Sequence, residues 1–308
     1  MKETVHIKFA DGLWDNLNLP PQIKVDKRMR NLFLLGSFAP DVFFMSKKTW
    51  GFADKIHGAK GEDTSVFPKE ILSSAIQKQN WQLFVFGLGY ITHMLLDIHS
   101  HPKIYALTGN YYDSNQSRQR NAVFGHRLLE SQISILHNAT DAFKNVKLNW
   151  HAVKTLPNIK SSFAKQYKIS SLPLSFLFAK SMLYNKYIFV SNFAFLIMKS
   201  FLSIENLTFF YAFAKKQEFF ASDLDNTLEA PDLFDKNKSC KFTINSIFTQ
   251  AKKESLSIIN KCIKSFVAQE DQLLEELIPS KSLDTGNRRS VHEIKYFKQI
   301  FSISDAKF

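Results

Sequence analysis

Between Gly89 and Pro102 the chain reads Gly-Tyr-Ile-Thr-His-Met-Leu-Leu-Asp-Ile-His-Ser-His-Pro, with His93, Asp97 and His101 four residues apart. On an α-helix of about 3.6 residues per turn, that spacing sets all three side chains on one stripe. Ile91, Leu95, Ile98 and His99 occupy the other side, so the helix is apolar nearly all round and belongs in an interior. Ionisable groups on a buried helix need a partner, and a divalent ion is the simplest one. Imidazole nitrogen and carboxylate oxygen together suit zinc.

One His-x-x-x-acid pair carries little by itself. With 9 His and 28 acids in 308 residues, composition alone gives ~0.8 such pairs. The chain holds three: His93/Asp97, His126/Glu130 and His137/Asp141. An isolated pair is more often a solvated helix pair than a ligand set, so the inference rests on the ensemble. His137 lies about 10 Å beyond Glu130 along the same helix, too far to share its ion.

The rest of the chain reads as helices. His6 to Leu17 carries an apolar stripe through Ile7, Phe9, Leu13 and Trp14 and is stopped by Pro20-Pro21. His6, at its start, reads in isolation as a solvated terminal histidine. Phe67 to Asn80 and Trp81 to His101 follow, with Pro102 ending the second. Asn121 to Ala142 is amphipathic. Further helices are expected at Ile159 to Tyr167, Ser175 to Ile204, Leu207 to Phe220, Ile244 to Leu277 and Val291 to Ile300, with a polar loop from Asp223 to Ser239. No sustained period-2 alternation suggests a sheet. The expectation is an all-α fold in a single multi-helix domain over residues 1–308, with a metal-site half (1–140) and a helical packing half (141–308).

Composition narrows the setting. The chain is 45% hydrophobic with 30 Phe and has a net charge of +12. A basic balance suits nucleic acid or an anionic membrane surface, or is simply a solvated lysine face. Cys240 and Cys262 match no zinc-finger spacing and make no disulfide framework. The first residues lack the apolar core of a signal peptide, so a cytoplasmic setting is the default expectation, with peripheral membrane association or export without a cleaved signal as variants. No transmembrane segment is expected. The most apolar region, Ser175 to Ile204, is interrupted by Lys180, Lys186 and Lys199 and reads as core helices.

Four ordered motifs resemble the zinc-dependent phospholipase C family: Phe38-Ala39-Pro40-Asp41; Asp54-Lys55-Ile56-His57-Gly58; Gly87 to Asp97 with His101-Pro102; and His126-Arg127-Leu128-Leu129-Glu130-Ser131. They cover residues 1–140 well and the remainder only loosely. The resemblance implies an all-helical fold around two or three zinc ions. Asp41, His57, His93 and Asp97 would hold one ion, and His101, His126 and Glu130 a second. His6, the N-terminal backbone and a bridging Asp97 would hold a third. Secreted members expose a Trp amine by cleavage, whereas residue 1 here is Met. Family members also have a longer gap after the bridging Asp. His101 is preferred over His99 as the next ligand because His99 points about 200° round the helix.

The implied activity is hydrolysis of a phosphodiester, with Asp41 as general base or water-orienting group. The leading reading is a phospholipase C acting on phospholipid at a membrane surface and releasing diacylglycerol and a phospho-headgroup. A zinc-dependent single-strand nuclease, with nucleic acid as substrate, and a non-catalytic helical metal-binding protein are the alternatives.

Overall fold

The computed structural model describes residues 1–148, 159–161, 174–217 and 226–306. Its axis is the long helix anticipated above. In chain order the principal elements are α1 (Glu3–Trp14), α2 (Lys27–Phe38), a 3₁₀ turn (Asp41–Met45), α3 (Trp50–His57), α4 (Val66–Gln77), α5 (Trp81–Thr108) and α6 (Gln116–Leu136). Then come α7 (Leu174–Leu183), α8 (Asn192–Met198), α9 (Tyr211–Lys216), a hairpin of β1 (Leu228–Pro231) and β2 (Ser239–Phe242), and α10 (Ile244–Ala268).

α5 is buried along almost its whole length. Leu83, Phe84, Phe86, Tyr90 and Met94 pack in one apolar cluster with α1, α2, α4 and α10. Leu96, Ile104, Tyr105 and Leu107 belong to a second cluster with α6, α8, α9 and the hairpin. It is also the one helix, among the described residues, long and apolar enough to cross a membrane, and its burial marks it as a core helix.

The contact of α2 with α5 is made by two glycines. A Cβ on Gly36 would lie 2.1 Å from the Phe86 carbonyl oxygen, and a Cβ on Gly89 would lie 2.0 Å from that of Phe33. Only glycine lets two helix backbones approach this closely. The approach places the end of α2 and the following Asp41 beside the turn of α5 that begins at His93.

Several boundaries differ from expectation. α5 does not stop at Pro102 but runs on to Thr108. A proline in a helix costs about 3 kcal/mol; burying Ile104, Tyr105 and Leu107 returns about 1.5–3 kcal/mol per side chain and outweighs it. Residues expected to form a helix from Val291 to Ile300 make one 3₁₀ turn (Val291–Glu293) and then a non-helical strap. Amides of Lys298 and Ile300 donate to the carbonyls of Ala106 and Leu107, which the end of α5 leaves without helical donors. The expected polar loop contains β1 and gives way to β2 at Ser239, making a small antiparallel hairpin that pairs Leu228 with Phe242 and Pro231 with Ser239, with Ala230 and Phe242 buried.

Ser175 to Ile204 is broken into α7, a π turn (Tyr184–Ile188) and α8, and it is core on one side alone: Leu177, Phe178 and Phe195 are buried, whereas Phe176, Phe193 and Phe201 are 62%, 73% and 80% exposed. Short helices have one covered face each, and here the other face meets solvent. α1 starts before His6, at Glu3, which carries His6 into the interior. Of the helix expected over Ile159 to Tyr167, residues 162–167 lie outside the described residues, as do residues 218–220 of the segment ending at Phe220.

Candidate metal centre

Four elements and a turn aim donors at one place. α1 supplies His6, the 3₁₀ turn Asp41, α3 its last residue His57, α5 His93, Asp97 and His101, and α6 His126 and Glu130. Asp97 lies between two groups. Its Oδ2 is 3.0 Å from His93 Nε2, and its Oδ1 is 3.3 Å from His6 Nε2 and 3.5 Å from His101 Nε2. On one side, Asp41 Oδ1 is 3.2 Å from His57 Nε2 and 3.8 Å from His93 Nε2. The His6 and His93 rings stack at 3.8 Å. On the other side, Glu130 Oε1 is 3.3 Å from His126 Nε2 and 3.5 Å from His101 Nε2.

These spacings match a ligand shell. Bonds of about 2.0–2.1 Å in a tetrahedron space the donors about 3.3 Å apart. Three trios have donor atoms all within 4.8 Å of one another: His6/Asp41/His93, His57/His93/Asp97 and His101/His126/Glu130. The Met1 amine reaches the third, 3.0 Å from both Asp97 Oδ1 and Glu130 Oε1 and 2.5 Å from His101 Nε2. The grouping thus differs in detail from the implied one: His6 joins Asp41 and His93, and the N-terminal amine joins His101 and Glu130.

Neighbours orient the imidazoles. His57 Nδ1 donates to the Ala53 carbonyl at 2.8 Å and His93 Nδ1 to that of Ser37 at 3.0 Å. Each bond leaves Nε2 as a lone-pair donor facing the cluster. His93 Nε2 therefore faces Asp97 Oδ2, an acceptor facing an acceptor, which a cation between them reconciles. Buried Oδ2 of Asp41 and of Asp97, and both ring nitrogens of His6, have no hydrogen-bond partner, as befits atoms whose partner is an ion. His101 Nδ1 meets Asp284 Oδ1 at 3.0 Å. Sequence reasoning missed Asp284: it stands 183 positions from His101, in no motif. His99 points away and pairs with Glu254 at 2.6 Å.

The electrostatics are those of a packed charge cluster. Burial would raise Asp97, but His101, the N-terminal amine, His6 and His93 hold it well below the carboxylate range. Burial would raise Glu130 too; the N-terminal amine and His126 hold it low. Asp41 is lowered, its burial outweighed by His93 and His57. Burial and then His93 push His6 down to about 4. His101 rises to about 9, because Asp97 outweighs its burial. The carboxylates are thus ionised and His6 is neutral at pH 7, as ligands must be, whereas His101 and the Met1 amine, raised to about 11 because Asp97 and Glu130 outweigh its burial, carry protons that a metal ion would have to displace.

The rim is aromatic and cationic. Tyr105 and Tyr111 rings lie 5.0 and 5.4 Å from His126, and Arg127 donates to the Tyr111 hydroxyl at 2.7 Å. An open groove of about 840 Å³ beside α4, lined by Lys69, Glu70, Asp271 and Glu275, contains none of the clustered donors.

Comparison with curated proteins finds no match, and neither does comparison with solved structures. The family model described as zinc dependent phospholipase C matches residues 5–171, more than half of the chain and the whole span from His6 to Glu130, and the chain belongs to that family of zinc-dependent, all-helical hydrolases.

Proposed function

We propose that the chain is a phospholipase C that hydrolyses the phosphodiester between diacylglycerol and a phospholipid headgroup. One observation carries the reading: Asp97 stands between two donor groups, its Oδ2 against His93 and its Oδ1 within reach of both His6 and His101, the position of a carboxylate that offsets repulsion between adjacent dications. His57, His93, Asp41 and Asp97 would hold one zinc ion, and His101, His126 and Glu130 another, with His6 as a donor for a third. Zinc, when bound, supplies Lewis acidity toward the phosphate and lowers the pKa of coordinated water toward about 7. Asp41, ionised and turning the unpartnered Oδ2 inward, orients the attacking water and accepts its proton. The Nδ1 bonds of His57 and His93 to backbone carbonyls keep the imidazoles from turning as charge shifts. Tyr111, held by Arg127, lines the approach for the headgroup.

The test is elemental analysis of purified protein beside an assay on phospholipid and on single-stranded DNA. Stoichiometric zinc with lipid turnover, lost in His93→Ala and Glu130→Ala, supports the reading. Turnover of DNA alone makes the protein a nuclease, and zinc without turnover of any diester makes it a binding protein. The Asn amide oxygen can still ligate, so in Asp41→Asn a rate about 10²–10⁴-fold lower that persists at saturating zinc supports the proton-accepting role given to Asp41.

A further inference from the structure

Among the described residues, most of the exposed large apolar side chains lie on an arm tied to this site. Of the large apolar side chains left in solvent, most fall between residues 176 and 201. On α8, Phe193, Leu196 and Ile197 are three and four positions apart and share the exposed face, while Phe195 points into the core. On α7, Phe176 and Leu183 are two turns apart on another exposed face. So many large apolar side chains left in solvent on one short stretch of chain mark an interaction site.

We propose that this helical arm, residues 174–201, is the face on which the protein sits on a bilayer carrying anionic phospholipid. The charge pattern selects the occupant. No Asp or Glu occurs from residue 174 to 204, whereas Lys180, Lys186 and Lys199 do. Lys186 lies 5.4 Å over the Tyr187 ring. Exposed aromatic and aliphatic side chains on a stretch that carries lysines and no acid, with Lys199 in solvent, fit the boundary between acyl chains and anionic headgroups. A second copy fits poorly, because it would bring these lysines face to face in a chain with net charge +12.

The arm is also tied to the catalytic end. Lys180 Nζ donates to the Met45 carbonyl at 2.7 Å, at the end of the turn that begins with Asp41. Phe189 lies 5.3 Å under the Lys2 ammonium, next to the Met1 amine of the cluster. Phe44, half-exposed in that turn, has its ring 5.1 Å from His57. A bilayer touching the arm is thus presented to the rim of the site. The inference rests on the phospholipase reading for its purpose and on surface chemistry for its evidence.

The experiment is vesicle co-sedimentation of the full chain with phosphatidylcholine and with phosphatidylcholine/phosphatidylglycerol, at low and high salt. Wild type is expected on the anionic vesicles, with salt weakening the binding. Phe193→Ser/Phe201→Ser should lower partitioning by about tenfold or more, while the control Val25→Ser/Val267→Ser, exposed elsewhere, should not. Circular dichroism checks the fold, and Phe176→Ser/Tyr187→Ser serves as an independent pair. Absence of wild-type binding, or equal binding by both double variants, overturns the proposal. So does a wild-type dimer that those substitutions dissolve. Hydrolysis of a short-chain monomeric phospholipid tests the site separately. Vesicle binding without that turnover refutes the catalytic reading and leaves the surface; turnover with unchanged vesicle binding in the variants does the reverse.

Discussion

Asp97 has no conservative replacement. Its Oδ2 faces His93 and its Oδ1 faces His6 and His101, so the amide of Asp97→Asn turns an N–H₂ toward at least one lone pair that should meet a cation. The expected outcome is loss of zinc from both sides of the site, read by elemental analysis of folded protein. Asp284 acts one step further out, holding Nδ1 of His101. Asp284→Asn should keep the fold and weaken zinc retention by about 10–100-fold, measured by competition with a graded chelator. The cysteines separate by burial. Buried in the core, the Cys262 thiol is pushed up to about 12, so it stays protonated and inert at pH 8. Cys240 is half-buried with Sγ 3.0 Å from Lys103 Nζ. Iodoacetamide at pH 8 should label Cys240 alone in the native protein, as peptide mass spectrometry will register.

Among the elements, the α2–α5 contact leaves no room for growth. Gly89→Ala would force a methyl against the Phe33 carbonyl and separate the helices that hold Asp41 and His93. The expected cost is at least ~2 kcal/mol, visible as a lower denaturant midpoint, with zinc lost earlier in the titration than from wild type. Much of this was legible beforehand. His93, Asp97 and His101 lie on α5 because fourfold spacing on an apolar helix admits little else. The extension of α5 past Pro102 was not legible, since local chemistry at proline argues for a stop and only packing against distant segments reverses it. The strap after Val291 was hidden for a related reason: Val291, Ile294 and Phe301 carry helix-like spacing, but the amide of Val291 goes to Ala59 and those of Lys298 and Ile300 go to the open end of α5.

At the scale of the molecule, donors from residues 6 to 130 and a supporting carboxylate at 284 meet where the two apolar clusters adjoin on α5. Chelation should therefore loosen both clusters together: the thermal midpoint is expected to fall in one transition on removing metal and to return on adding zinc. The all-helical architecture could be read from the chain because helical periodicity is a local signal, and His93, Asp97, His101, His126 and Glu130 stand out by helical spacing; His6, Asp41 and His57 were reached only through the family resemblance. The exposure of residues 174–201 could not, since apolar composition is the same for a core helix and for one that faces a lipid surface. The N-terminal amine beside Glu130 was likewise beyond periodicity, being a backbone group with no residue type to announce it.

Because His101 is propped by a carboxylate 183 positions downstream, a chain still emerging from the ribosome carries most of the first coordination sphere long before the prop exists. Zinc captured during synthesis would be held by unbraced imidazoles and exchange readily. Tight retention would arrive only once translation has passed residue 284.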